Sequence, residues 1–367
     1  MSTLKVDTLQ NATGENLVFN NKNLLINGGM NIWQRGTSAS SKTTSGYYTA
    51  DRFRNTISSM GTWTYSQSTD VPSGQGFGYS LKLDCTTADA SPAASDFHSL
   101  QHRIEGQNLQ HLLKGSSSAK ALTLSFWVKS NKTGTYIASI FDNDNSRNIS
   151  KSYTISSAST WEKKEITFDG DTTGTLDNDN ANSLQLEFFF GAGTDYSSGT
   201  LATSWESYTQ ANRAVGQVNL ADSTSNEFYL TGCQMETGSV ATDFEFEPYE
   251  RTLSKCQRYY EHIPMGRADV PGGIVINTSG AFRCPPITFK VNKRTLATMS
   301  QLNAWTFTWY DGATNTCSAQ SIDGNSYGFS VSGTSSSSRS TYQALIGGGG
   351  HMASDTETYT ITADAEL

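Results

Sequence analysis

The chain has 367 residues, a length that accommodates two or three domains of ordinary size. Its charged fraction of 16% and aromatic fraction of 11% exclude a disordered chain and are typical of an all-β protein with many polar turns. The net charge of −8, without a dense cluster of Lys and Arg, argues against a nucleic-acid partner. No segment approaches the ~18 consecutive apolar residues of a membrane span, so we expect no membrane insertion.

The cysteines are scattered, and none forms a C-x-x-C pair. They are Cys85, Cys233, Cys256, Cys284 and Cys317. An odd number of separated cysteines, together with an N-terminal segment that lacks an apolar signal region, predicts reduced thiols in a protein made in a cytoplasm.

Residues 1–25 contain few apolar side chains among Asn, Thr and Gly. A segment with so little apolar surface does not fold alone. We predict an N-terminal arm that becomes ordered against sister chains or against a docking platform.

Residues 26–248 show short stretches in which apolar and polar residues alternate, separated by turns rich in Asp, Asn and Gly. Residues 79–85 and 122–128 are the clearest of these stretches. Short alternating strands at this spacing predict an antiparallel β-sandwich. The stretch from Phe228 to Thr231 is predicted as its closing strand, with a bend or bulge that starts at Gly232.

After Pro248 the apolar period changes from two to about 3.6, which predicts a linker helix over residues 249–263. Leu253, Cys256 and Tyr260 fall on one apolar stripe of this helix. A helix this short needs tertiary support. Two arrangements stay open: the stripe packs on its own domain, or three stripes meet in a homotrimer.

Residues 264–367 are predicted to form a second β-rich domain at the tip of the molecule. Its clearest strands lie near residues 272–276, 287–291, 305–309 and 359–362. No internal repeat of ~20–50 residues is evident, which argues against a propeller or a regular β-helix.

Several segments of the chain carry a family resemblance. They are S-T-L-K-V-D-T-L-Q at 2–10, L-L-I-N-G-G-M-N-I-W-Q-R-G-T at 24–37 with T-A-D-R-F at 49–53, F-Y-L-T-G-C-Q-M-E-T-G-S-V-A-T-D-F-E at 228–245 with E-R-T-L-S-K-C-Q-R-Y-Y-E at 250–261, and A-D-A-E-L at 363–367. In these segments the chain resembles bacteriophage tail fibre and other virion fibre proteins that contain a jelly-roll domain like a carbohydrate-binding module. The loops at 131–182 and the body after residue 264 match no known pattern, so the receptor stays open.

The resemblance implies a homotrimeric virion appendage on the tail or capsid, made in the host cytoplasm and attached to other virion proteins through residues 1–25. It implies a jelly-roll sandwich and adsorption to a host-surface receptor, for which a glycan is the expected class. Two alternatives remain: a head fibre or decoration protein without a receptor role, and a polysaccharide depolymerase.

Three tryptophans are candidates for glycan stacking. Trp127 lies on the polar side of its predicted strand, where a ring suits a sugar, a sister subunit or the edge of a core. Trp305 and Trp309 share one face of a strand with Phe307, a pattern that favours core packing over a binding platform.

Two acidic loops supply weak calcium candidates. These are Asp142, Asp144, Asp177 and Asp179. Calcium takes about 6–8 oxygen ligands, but the ligand order of an EF-hand is absent from both loops. Asp and Asn also cap their own turns without a metal, so plain turns are the simpler interpretation.

No catalytic motif stands out in the sequence. It lacks G-x-S-x-G, H-E-x-x-H and a zinc spacing, and the glycines before His351 lack the Lys and Ser/Thr of a phosphate loop. The spacing of the acidic residues does not identify a carboxylate pair for glycoside cleavage. We therefore expect a protein that acts by adhesion, without catalysis and without a cofactor.

Overall fold

The structure is a computed structural model of the chain. It describes residues 22–265, 274–275, 281–283, 285–301, 306–308, 314–335 and 359–367. The chain divides into two compact units. Unit 1 takes its described residues from 22–31, 38–46 and 54–247, and unit 2 takes them from 32–37, 47–53 and 248–367. Unit 2 thus includes two segments that precede most of the sandwich in the chain.

Unit 1 is an antiparallel β-sandwich. Its strands are β1 (Ser38–Lys42), β2 (Gly46–Tyr47), β3 (Arg54–Ser58), β4 (Thr62–Ser68), β5 (Ser80–Thr87), β6 (Phe97–Glu105), β7 (Leu122–Ser130), β8 (Gly134–Asp142), β9 (Arg147–Ile155), β10 (Glu162–Phe168), β11 (Asn182–Ala192), β12 (Glu206–Ser207) and β13 (Glu227–Thr237). Short 3-10 helices lie at Gly106–Asn108, Gln110–Leu112, Gln210–Asn212 and Leu220–Asp222.

The strands of unit 1 form a six-stranded sheet in the order β1-β4-β5-β13-β7-β10 and a seven-stranded sheet in the order β12-β9-β8-β11-β6-β3-β2. Strands β5, β7, β10 and β13 lie in the first sheet, whereas β6, β8, β9 and β11 lie in the second. The chain therefore crosses repeatedly between the sheets, as in a jelly roll. This architecture confirms the predicted fold class.

Aromatic side chains from both sheets fill the core of the sandwich. The rings of Phe126 in β7 and Phe188 in β11 lie 5.0 Å apart, and those of Phe190 in β11 and Phe228 in β13 lie 4.8 Å apart. All of these side chains are buried. Since side chains alternate along a strand, an inward Phe126 places Trp127 on the outer face of the six-stranded sheet.

Residues 22–28 lie along β13. The amide of Leu24 donates to the carbonyl oxygen of Met235 at 2.8 Å. The carboxylate of Glu245 accepts hydrogen bonds from the backbone amides of Lys22 and Asn23, both at 3.0 Å. Residues 22–25, which we predicted as part of the arm, therefore belong to the sandwich because these bonds satisfy their backbone. The rest of the predicted arm lies outside the described residues.

The segment of residues 193–218 packs in part on the outer face of the seven-stranded sheet, while its strand β12 pairs at the edge of that sheet. It begins with helix α1 (Thr194–Ser197). Ala214 of this segment packs with Ile137 of β8 and Phe189 of β11 in a buried apolar cluster. This face of the sandwich is therefore closed to solvent around the cluster.

Unit 2 contains helix α2 (Tyr249–Gln257) and a set of mostly short strands. These are β14 (Tyr260–Met265), β15 (Ile274–Val275), β16 (Ala281–Arg283), β17 (Ile287–Thr288), β18 (Thr298–Gln301), β19 (Thr306–Thr308), β20 (Thr314–Gly324), β21 (Gly328–Ser335) and β22 (Tyr359–Asp364). Among the described strands, β14-β22-β18 form one sheet, and β15-β16-β21-β20-β19 form another, with β17 beside β21. No helix in the described parts of the chain has the length and apolar character needed to cross a membrane.

The predicted linker helix over residues 249–263 is too long. The helix ends at Gln257, and β14 begins three residues later in antiparallel pairing with β22. The guanidinium of Arg35 lies 3.5 Å from the ring centroid of Tyr260, which fixes this ring in the strand. These contacts with distant parts of the chain outweigh the weak local preference for a helix.

A polar cluster in unit 2 holds the end of β22 and the residues that follow it. Arg35 donates to Asp364 at 3.0 Å and to Glu366 at 3.3 Å, and Arg52 also pairs with Glu366. Burial raises the pKa of the neighbouring Asp51 to about 6, although Arg35 acts in the opposite direction. Parts of three segments that carry the family resemblance therefore contact one another in unit 2. They are I-W-Q-R-G at 32–36, A-D-R-F at 50–53 and A-D-A-E-L at 363–367.

Candidate functional site

A cleft of about 300 Å³ opens on the outer face of the six-stranded sheet of unit 1. Trp127 of β7 lines this cleft and is half-buried. In the register of the sheet it lies between Thr231 of β13 and Lys163 of β10. Trp127 is therefore on the polar face, as the alternation of its strand predicted. Its role in glycan binding stays a prediction.

A bulge in β13 shapes the cleft. The register between β13 and β7 shifts after Thr231, and Gly232 in the bulge has a φ of +63°. A Cβ atom on Gly232 would lie 2.6 Å from the ring of Phe77. Only glycine combines this left-handed backbone with such a close approach, so the ring of Phe77 rests directly on the bulge.

Phe77, Phe244 and Phe246 form an aromatic rim around the cleft. The ring centroid of Phe77 lies 5.0 Å from that of Phe244 and 5.3 Å from that of Phe246, and the centroids of Phe244 and Phe246 are 4.9 Å apart. Phe77 is buried beneath the others, whereas Phe246 is 56% exposed. The rim is therefore anchored from below and presents an apolar ring surface to solvent.

Polar groups complete the lining. Gln75, Ser125 and Asp243 face the cleft together with Lys163. The ammonium of Lys163 lies 2.9 Å from the carboxylate of Glu165 in an exposed ion pair. The cleft thus combines rings, which stack on an apolar surface, with a few hydrogen-bonding groups that can orient a polar ligand.

The calcium candidates lie in self-capped turns. Asp142 forms a buried ion pair with Lys114 and accepts the amide of Asp144 at 3.0 Å. Asp144 in turn accepts the amide of Asp177 at 2.9 Å, and Asp179 caps its own turn. Among the described residues, no group of three or more His, Cys, Asp or Glu is arranged to hold a metal ion. The bonds of these turns are those that Asp supplies without a metal.

The other predicted site residues are not brought to this cleft. Trp305 and Trp309 lie outside the described residues. Cys256 is buried in α2, Tyr260 lies in β14, and Leu253 is half-buried. The helical stripe proposed for these residues is therefore wrong for Tyr260. Trimer contacts through them stay a prediction.

The aromatic rim escaped the sequence analysis. Phe77 follows the turn G-Q-G, while Phe244 and Phe246 alternate with acids in D-F-E-F-E. This alternation is a signal for two apolar rings on one side of an extended segment. It does not reveal that a distant Phe77 completes the group.

Comparisons with known proteins place the chain as follows. No family model matches it, and no curated protein matches it. Among solved structures, the enzymatically active domain of tailspike protein 4 of bacteriophage CBA120 is 14% identical, with a TM-score of 0.31; the match covers 59% of this chain and 21% of that chain. The family 11 carbohydrate-binding module from Clostridium thermocellum, solved with a mixed-linked tetrasaccharide, is also 14% identical, with a TM-score of 0.28, and covers 56% of this chain and 98% of the module. Both TM-scores are low, so these similarities carry no argument about ligand or assembly.

Proposed function

We propose that this protein is a fibre of a bacteriophage virion that binds a host-surface glycan through the cleft around Trp127. The observation that carries the binding proposal is the combination of Trp127, the exposed ring of Phe246 and convergent polar groups in one cleft. The resemblance to fibre proteins supports the virion role; it is carried by the segments at 2–10, 24–37, 49–53, 228–245, 250–261 and 363–367.

A sugar ring suits the chemistry of this cleft. A pyranose has a face of C–H groups, which packs on an aromatic ring, and an edge of hydroxyl groups, which need hydrogen-bond partners. Trp127 and Phe246 supply the first kind of contact, while Gln75, Ser125 and Asp243 supply the second. The lysine of the lining is already paired with Glu165, which favours a neutral sugar over an anionic one.

The virion role carries further proposals. Residues 1–21, the part of the predicted arm that precedes the sandwich, attach the fibre to other virion proteins, and the chain assembles as a homotrimer after synthesis in the host cytoplasm. In this function the protein holds a glycan and does not cleave it. Low affinity at a single cleft is compensated in a trimer, because several linked sites bind a repetitive surface together.

Glycan binding is tested first on an array of bacterial surface polysaccharides and then by calorimetry with the glycan that binds best. We expect Trp127→Ala to lower the affinity roughly tenfold, or about 1.4 kcal/mol, because it removes a stacking surface. Trp205→Ala is the matched control: Trp205 is also half-buried, but it packs on Lys114 at 5.1 Å and does not line the cleft. Equal affinities for the wild type and Trp127→Ala would contradict the proposal.

Assembly is tested by the mass of the full chain in solution. A trimer has three times the chain mass of 39.8 kDa. A monomer at all concentrations that still binds glycan would remove the trimer from the proposal and leave the cleft in place. Loss of both trimer and binding on deletion of residues 1–21, which leaves the hydrogen bonds of residues 22–25 with the sandwich intact, would instead show that the arm supports the assembly.

A further inference from the structure

Next to the cleft, the outer face of the six-stranded sheet carries a ladder of cations and rings. The ammonium of Lys82 in β5 lies 5.4 Å from the ring centroid of Tyr229 in β13, and the ammonium of Lys129 in β7 lies 4.2 Å from the same centroid. Trp161, just before β10, continues the row with its ring centroid 5.7 Å from the ammonium of Lys129. Rings and cations in this order attract one another across the strands.

Trp161 is held in a fixed orientation at the end of the ladder. Its Nε1–H donates to the carboxylate of Asp70 at 2.9 Å, and Lys129 pairs with the same carboxylate. Although burial tends to raise the pKa of Asp70, the hydrogen bonds from Lys129 and Trp161 keep it below its usual range. Trp161 itself is half-buried, so part of a fixed ring remains available to a ligand.

The ladder and the cleft are successive rows on one face. Trp127 and Lys163 pair across β7 and β10. Lys129 lies two residues from Trp127 on β7, and Trp161 lies two residues from Lys163, just before β10. Two residues of a strand span roughly 6–7 Å, so the second row begins about one sugar ring away from the first. A chain of sugars that leaves the cleft in the strand direction therefore meets Trp161.

We infer that the glycan site has a second stacking position at Trp161 and takes a neutral oligosaccharide chain in preference to a single sugar. This inference rests on the proposed function of the cleft. The lysines of both rows are paired with carboxylates: Lys82 with Asp84 at 2.8 Å, Lys163 with Glu165 at 2.9 Å, and Lys129 with Asp70. An anionic glycan would have to displace these partners, whereas a neutral one leaves them in place.

The experiment uses series of oligosaccharides with one to six sugars, made of glucose, galactose or mannose, and a matching series of oligogalacturonates as the acidic class. Calorimetry on the full chain is expected to show affinity that rises with length for one neutral series. Trp161→Ala is expected to lower the affinity for the longer members about tenfold and to leave the single sugar within about twofold. Trp161→Phe, which keeps a ring, is expected to recover most of the loss.

The outcomes separate this inference from the proposed function. Affinity that does not depend on length, or an equal loss at every length in Trp161→Ala, overturns the second position and leaves the cleft standing. Binding of the acidic series alone overturns the inference that the ligand is neutral. If no oligosaccharide series binds and Trp127→Ala changes nothing on the polysaccharide array, the cleft itself is not a glycan site. Circular dichroism and a thermal midpoint for each variant show whether a loss comes from misfolding.

Discussion

The two outer faces of the sandwich in unit 1 are formed by similar strands but differ in what covers them. The segment of residues 193–218 lies on the seven-stranded sheet, where Ala214 packs against Ile137 and Phe189 in a buried cluster. On the six-stranded sheet, Trp127 is half-buried and Phe246 is 56% exposed beside an open cleft. Around this cluster, the outer face of the seven-stranded sheet (the closed face) is covered by the chain itself. The outer face of the six-stranded sheet (the open face) has apolar rings that a ligand can cover.

Charges follow the same division. On the closed face, Arg213 is buried beside Glu187, and its guanidinium lies 5.4 Å from the ring centroid of Phe189. Burial lowers the pKa of Arg213 to about 10, because the charged guanidinium is removed from water. On the open face, Lys163 and Glu165 pair in contact with water. The ion pair on the closed face is therefore buried within the fold, whereas the pair of Lys163 and Glu165 on the open face is exposed.

The largest effect should come from breaking the buried pair on the closed face. Arg213→Met leaves Glu187 buried without its cation, and we expect a loss of about 3–5 kcal/mol in the free energy of unfolding. The measurement is urea denaturation followed by tryptophan fluorescence. The matched control on the open face, Lys163→Met, breaks an exposed pair and should cost less than about 1 kcal/mol. Similar losses in both variants would contradict the division into a closed and an open face.

Acid should destabilise the interior between the two faces. His98 is fully buried, and burial lowers its pKa to about 3, while an unfolded chain protonates it near its ordinary value of about 6.5. Between these values the unfolded state binds more protons, so stability falls as the pH falls. At pH 4 the loss from this group should be roughly 3 kcal/mol relative to pH 7.

The check on His98 is a comparison of slopes. His98→Gln cannot take up a proton, so its stability should change less between pH 7 and pH 4 than that of the wild type, whatever its absolute stability. The variant loses the contact between the imidazole Nε2 and the hydroxyl of Tyr65 at 3.1 Å, which lowers stability at every pH alike. An unchanged slope would show that other groups carry the acid sensitivity.

The open face shows how far the sequence alone could lead. The outward direction of Trp127 and the bulge at Gly232 were predicted correctly because both depend on local rules: the two-residue period of a strand and the conformational freedom of glycine. The contact of Phe77 with Phe244 and Phe246 could not be predicted, because Phe77 is far from the other two in the chain. Which loops meet over a sheet is decided by tertiary packing, and a single sequence carries no local signal for it.

Unit 2 teaches the same lesson from a failed prediction. The apolar residues from Leu253 to Tyr260 fit a helical period, yet the helix ends at Gln257. The pairing of Tyr260 with Asp364 joins residues near opposite ends of the segment 248–367 of unit 2. A local period cannot weigh such a contact. The end of the helix was therefore less predictable than its beginning, which Pro248 marks as the residue before the first turn.

An intermediate effect is expected at the bulge of the open face. Gly232→Ala forces a methyl group to within 2.6 Å of the Phe77 ring and adds a side chain at a φ of +63°, so we expect a cost of about 1–3 kcal/mol. Since the ring must move, glycan affinity should fall as well. Gly216→Ala is the control: its φ is +88°, and a Cβ there meets no atom within 4 Å. If both variants lose equal stability and neither changes binding, backbone strain alone explains the effect.

The smallest change in stability should come from the exposed edge of the aromatic rim. Phe246→Ser removes a ring that is already 56% exposed, so the free energy of unfolding should change by less than about 1 kcal/mol. If the proposed function holds, glycan affinity should nevertheless fall severalfold, because the proposal gives this ring the outer stacking surface for the ligand. Val240→Ser is the control, since Val240 is 73% exposed and does not line the cleft. Calorimetry and thermal unfolding on the same samples separate the two effects. A variant that loses stability but keeps its affinity would show that Phe246 stabilises the fold, as Ala214 does on the closed face. In that case the Phe246 ring would not contact the ligand at this edge of the open face.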